Sequence, residues 1–169
     1  MIRVGKIVAT HGLQGAVIMT HKAGDSKWLK KGQALMVELQ KGSYIPYFVA
    51  DFKVTNNSEF VVVIEDLDKV EAAKRLVAKS VYVNEDILLA YAKQSPLLWI
   101  GFAITDVHLG VLGTVDDVME TPNQWLGKLI YKGKEALIPL IEPILKEVNI
   151  RSKRLIVELP EGLLEVYLS

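Results

Sequence analysis

The sequence predicts an all-β protein of two small β-barrels joined by a short linker. Three observations predict it. Short, β-branched and apolar runs dominate the chain, turn-forming residues separate them, and the pattern lapses once, at about residues 88–96, before resuming. Closing a set of short strands into a barrel removes edges that would otherwise stay unpaired. The 169 residues suit one ordinary domain or two small ones, and 50% apolar with 24% charged residues reads as globular.

In chain order, "VGKIVATH", "AVIMTH", "ALMVELQ", "YFVADFKV" and "EFVVVIE" are strand candidates within residues 4–65, and "KSVYVNE" is a sixth. In "AVIMT", Val17 and Met19 face one way and Ile18 and Thr20 the other. One helix interrupts: in "DLDKVEAAKRLVAKS", Val70, Ala73 and Leu76 or Val77 recur at helical spacing. Asp68 stands at the N-cap position with Glu71 three residues later, as in a capping box. The second half returns to strands with "WIGFAITDV", "GVLGTVDDVME", "QWLGKLIYK", "EALIPL" and "KRLIVEL". Between the last two, "IEPILKEVN" reads as a short helix or 3₁₀ turn, opened by Pro143 and closed by Asn149. "LPEGLLEVYLS" ends the chain as a turn and an apolar tail that packs back.

Composition excludes several classes. Cys is absent, which removes disulfides, thiol nucleophiles and Cys-based zinc sites and suits a reducing cytoplasm. The start "MIRVGKIVATH" has no signal-peptide pattern, and no apolar run reaches the roughly 18 residues of a membrane span. Net charge is zero: residues 1–90 carry 12 Lys/Arg against 10 Asp/Glu, and residues 91–169 carry 8 against 10. No global field draws the chain to nucleic acid, so any RNA contact is local. His11, His21 and His108 lack metal-binding spacing, and phosphate-loop, dinucleotide and nucleophile-elbow motifs are missing. Neither a metal nor a cofactor is expected, and nothing favours an enzyme.

Three stretches stand out. "HGLQG", residues 11–15, joins two β runs with Gly12 and Gly15. It is either a hairpin connection needing positive φ or a rigid loop that presents Leu13, beside His11, to RNA or protein. "HKAGDSKWLKKG", residues 21–32, gathers Lys22, Lys27, Lys30 and Lys31 around Trp28. The lysines form the best positive patch in the chain, and Trp28 either fills the core or stacks on a base. "DDVMETPNQWLG", residues 116–127, is a hairpin turn at Pro122 and Asn123, or a protein-contact tip ending in Trp125.

"VGKIVATHGLQGAV" and "IEDLDKVEAAKRLVAKSVYVNED" resemble the first half of the RimM family of ribosome maturation factors. "IGFAITD", "GVLGTVDDVMETP", "EALIPLIEPILKEVN" and "RLIVELPEGLLEVYL" resemble that family's PRC-barrel domain. The resemblance runs over nearly the whole chain in the family's order. It implies a translation-factor-like amino-terminal barrel with one helix over residues 1–88 and a PRC-barrel over residues 97–169. It implies a non-enzymatic, monomeric, cytoplasmic assembly factor that contacts the nineteenth small-subunit ribosomal protein and the 16S ribosomal RNA of the 30S subunit head, and assists maturation of that RNA. The family's His-Gly-Leu-x-Gly loop falls on His11, Gly12, Leu13, Gln14 and Gly15. Where the family carries a tyrosine-rich stretch before its second barrel, this chain has "KQSPLLWIG", keeping Trp99 as an aromatic and Tyr91 upstream. Trp99 thus joins Pro122, Asn123 and Trp125 as a candidate protein contact. The competing reading, a small-ligand-binding or enzymatic β-barrel, requires a concave pocket lined by convergent polar groups.

Overall fold

A computed structural model describes residues 1–92 and 94–169, and residue 93, within the expected linker, lies outside the described residues. The chain divides into two compact units, Met1–Leu98 and Trp99–Ser169.

In the first unit, strands β1 (Ile2–His11), β2 (Ala16–His21), β3 (Ala34–Gln40), β4 (Ser43–Asn56), β5 (Glu59–Ile64) and β6 (Ser80–Val83) close into a barrel in the order β1-β2-β5-β4-β3-β6. All neighbours are antiparallel. The period-2 pattern does what the sequence predicts: Val17 and Met19 of β2 point inward, with Leu35, Val37, Phe60, Val62, Val81 and Val83 around them. The 14-residue β4 bends around the wall through register shifts at Val49/Asp51 and Val54/Asn56, the usual device for curving a long strand.

Trp28 is fully enclosed, which removes it from any base-stacking role. It packs edge-on against His21 and Phe60, with ring centroids 5.5 and 5.6 Å away, while His21 stacks on Phe60 at 4.6 Å. Burial lowers the His21 imidazole pKa to about 4, and the Asp25 carboxylate offsets this only in part. The unfolded chain therefore takes up a proton near pH 6.5 that the folded chain refuses until about pH 4. Stability is complete above that window and falls as pH drops through it, by at most about 1.4 kcal/mol per pH unit from this one group. Denaturant melts at pH 7, 6 and 5 are expected to show this slope in the parent and not in His21→Leu. Parallel profiles for the two proteins would contradict it.

Helix α1 is shorter than predicted, Val70–Lys74, and Lys69 rather than Asp68 precedes it, without a side-chain cap. The acidic run belongs instead to a turn in which Asp66 takes φ +61°. Ala73 and the following Leu76 are buried and seat this segment on the barrel. Part of the expected linker is helical: α2 spans Glu85–Tyr91, and the Asn84 carboxamide accepts the Asp86 N–H at 3.0 Å as its N-cap. A single 3₁₀ turn follows at Pro96–Trp99.

The second unit holds two sheets. One contains β9 (Asp117–Glu120), β10 (Trp125–Tyr131) and β11 (Lys134–Pro139), in the order β11-β10-β9. The other contains β7 (Ala103–Asp106), β8 (Gly110–Thr114), β12 (Leu145–Asn149) and β13 (Arg154–Val157), in the order β12-β13-β7-β8, with β13 and β7 parallel. Ile104, Leu129, Ile138, Leu155 and Val157 fill the core. Residues 145–149, expected to lie in a short helix or 3₁₀ turn, are strand β12. Antiparallel pairing with β13 overrides the weak local helical signal, Pro143 lies in the preceding turn, and Asn149 accepts the Ser152 N–H at 2.9 Å to start the next turn. The tail packs back as predicted: Leu164 is buried, and Tyr167 of α3 (Glu165–Leu168) donates its hydroxyl to the Leu137 carbonyl at 3.1 Å.

Asp106 holds this unit together at the end of β7. One carboxylate oxygen accepts the N–H groups of His108 and Leu109 at 2.8 and 2.9 Å, and the other accepts that of Leu159 at 2.8 Å. Burial alone would raise its pKa, but the three N–H donors outweigh burial and hold the carboxyl below its ordinary value. Its stabilisation is therefore present above the ordinary carboxyl pKa and lost as pH falls below it. Asp106→Asn turns an amide N–H toward at least one backbone donor and is expected to cost about 2 kcal/mol in a urea melt. An unchanged midpoint would remove Asp106 as a structural anchor.

Candidate functional site

The loop between β1 and β2 starts where His11 pairs with Ala16. Gly12 has φ +69° and Gly15 has φ +87°, so both need glycine's freedom, but their surroundings differ. A Cβ on Gly12 would meet open space. One on Gly15 would collide with the Leu67 carbonyl oxygen and crowd the Lys69 nitrogen at 3.2 Å. Gly15 is buried against the segment before α1, while His11, Gly12, Leu13 and Gln14 are exposed. Leu13 is 83% exposed, the largest such fraction among the large exposed apolar side chains described. The loop is thus pinned at one foot and offers an apolar tip, an arrangement that lowers the entropy lost on docking.

Lys22, Lys27, Lys30 and Lys31 are all exposed, but they are not equivalent. Lys31 pairs with Asp51 at 3.2 Å, which helps to hold that carboxyl below its ordinary pKa. Lys30 lies 4.8 Å from the ring centroid of Tyr91, a cation–π contact that joins the tyrosine upstream of Trp99 to the lysine segment. Lys22 and Lys27 have no ion pair among the described residues.

The loop and Lys22 do not form one patch. They flank opposite ends of β2, Ala16–His21, a strand about 17 Å long at 3.3 Å per residue, whereas Lys31, through its ion pair with Asp51, sits two strands from the loop end, because Asp51 pairs with Val63 and Val62 pairs with Val17. A partner that meets both the loop and Lys22 must extend along the barrel wall.

In the second unit, Thr121, Pro122, Asn123 and Gln124 form a tight turn joining β9 to β10. The Thr121 hydroxyl donates to the Gln124 carbonyl at 2.8 Å and accepts the Gln124 N–H at 3.2 Å. Pro122 and Asn123 are exposed at its tip and Trp125 is half-buried. Trp99 is enclosed, 6% exposed, and its indole has little surface left for a partner. Residues 99–169 carry seven Lys/Arg against ten Asp/Glu, so this unit is mildly acidic. A cavity of about 640 Å³ lies beside Asp106, Leu109, Tyr131, Leu163 and Leu168. The Asp106 carboxylate at its edge is already engaged by three backbone N–H groups, and His108, Lys132, Glu161 and Glu165 also line the cavity. Among the described residues, no group of three or more His, Asp or Glu is placed to hold a metal, and no helix is long and apolar enough to cross a membrane.

Two features gave no sequence signal. The Gly15–Leu67 contact joins residues far apart in the chain. An outward cluster of aromatic residues on β4 and β6, brought together across β3, depends on strand register, which alternation within each strand does not fix.

The chain matches two family descriptions, RimM N-terminal domain over residues 2–88 and RimM PRC barrel domain over residues 99–163. It is 30% identical over 169 residues to the ribosome maturation factor RimM of Parabacteroides distasonis, covering 98% of this chain and 96% of that protein. It is 26% identical to the protein of that name from Flavobacterium psychrophilum, over 98% of this chain and 95% of the relative. For the Syntrophobacter fumaroxidans protein of the same name the figures are 25%, 98% and 94%.

Proposed function

Because the chain belongs to the RimM family, we propose that it is a ribosome maturation factor that binds the immature small ribosomal subunit and assists processing of its 16S RNA without chemistry of its own. The match to two RimM domains in order carries this reading, and the pinned loop with its exposed leucine supports it. The working modules are residues 1–88 and 97–169, acting as a monomer in the cytoplasm.

The division of labour follows from charge and shape. The first module meets RNA, or protein beside it, through His11, Gly12 and Leu13 of the loop that the buried Gly15 pins, and through Lys22, Lys27, Lys30 and Lys31. The second module, mildly acidic, meets the basic nineteenth small-subunit protein of the head, with the Pro122–Trp125 turn as the contact tip. Opposite charges speed encounter more than they set final affinity, and two modest contacts on one chain reinforce each other through effective concentration. Preferential binding of the native head arrangement then shifts the assembling ensemble toward it.

Affinity capture of the tagged full-length chain from growing cells, with RNA and protein identified, tests the reading. Precursor small-subunit RNA together with head proteins is the expected catch. Capture of neither, with turnover of a metabolite instead, would support the ligand-binding or enzymatic barrel.

A further inference from the structure

We infer that the outer wall of the first barrel, across β1, β6, β3 and β4, is a stacking platform for single-stranded RNA. This rests on the ribosomal reading above and adds a surface to it.

Because Val81, Val83, Leu35, Val37 and Val49 point into the barrel, their strand neighbours Tyr82, Met36 and Phe48 point out. Strand register lines these up in rows. Arg3 pairs with Tyr82, Tyr82 with Met36, and Met36 with Pro46, while Lys6, Ser80, Glu38 and Tyr44 form the adjacent row. The result is an aromatic wall edged by cations.

The rings are held in place. Tyr44 meets Tyr82 edge-on at 5.0 Å, and the Tyr82 hydroxyl donates to Glu38 at 3.0 Å. Phe48 is 45% exposed. Arg3, Lys6 and Lys41 are exposed, and none is in an ion pair among the described residues. The one carboxylate in these rows, Glu38, is occupied by Tyr82 and by the Gly42 N–H at 3.0 Å. Three cations against one engaged carboxylate favour a polyanion, and aromatic faces between them favour unstacked bases over a duplex. Ser80 and Glu38 interrupt the apolar surface, which disfavours a protein partner needing a continuous apolar patch. The wall also continues into the lysine segment, because the Lys22 N–H donates to the Val4 carbonyl, beside Arg3, at 2.9 Å.

The test measures anisotropy of a labelled, unstructured oligouridine with the full-length protein, over a salt series. Tyr44→Ala with Phe48→Ala is expected to weaken binding about tenfold or more with little change in salt slope. Arg3→Glu with Lys6→Glu is expected to flatten the salt slope. Tyr44→Phe, which keeps the ring, is expected to bind like the parent, and thermal melts confirm that each variant folds. Failure of the parent to bind the oligonucleotide, or equal binding by the ring-deleted variant, overturns the platform. A ring-deleted variant that binds oligouridine normally but captures small-subunit precursors poorly assigns the wall to a protein contact and also overturns it. Failure of the parent to capture precursors at all is a different result and counts against the ribosomal reading itself.

Discussion

Replacing Gly15 with valine is expected to lower stability by about 4 kcal/mol or more and to abolish binding to small-subunit precursors. Two costs combine. A β-branched residue is a severe outlier at φ +87°, and its Cβ must displace the Leu67 backbone that Gly15 packs against. Gly12→Ala meets only the first kind of cost, in mild form, because no atom lies within 4 Å of its added Cβ. It is expected to lose about 1 kcal/mol and to keep most binding. Urea midpoints and co-sedimentation of both variants measure the difference. A third variant separates shape from stability: Leu13→Ser removes an apolar tip that is 83% exposed, so the fold should hold while precursor binding weakens. If Leu13→Ser binds as the parent does, the loop is a connection and nothing more.

The second large effect is electrostatic. Lys22→Glu with Lys27→Glu is expected to weaken precursor binding about a hundredfold at low salt and to reduce the slope of log affinity against log salt by about two. These two lysines are chosen because they have no ion pair among the described residues. Lys30 and Lys31 already engage Tyr91 and Asp51 and should each contribute less. A binding curve that ignores both the substitutions and the salt would place the RNA contact elsewhere on the molecule.

What could be read from residues alone follows the range of each interaction. Strand β2 was readable because alternation is local: Val17, Met19 and His21 turn inward together. The enclosure of Trp28 agrees with the general preference of a lone tryptophan for the core. Strand β12 is not legible locally, because five residues shortly after a proline carry little signal, and pairing with β13 decides their conformation. The different duties of Gly12 and Gly15, the three donors converging on Asp106, and the aromatic wall all depend on partners distant in the chain. The loop and the lysine segment are each recognisable in the sequence, but only strand register shows that Lys22 lies at the far end of β2 and Lys31 near the loop end.

Density-gradient sedimentation of a cell lysate, followed by detection of this chain across the fractions, tests most directly whether it works by holding an unfinished particle. The chain is expected to travel with free small subunits and their precursors and to be missing from complete ribosomes. A chain that stays at the top of the gradient, with the small-subunit peak free of it, would contradict the account.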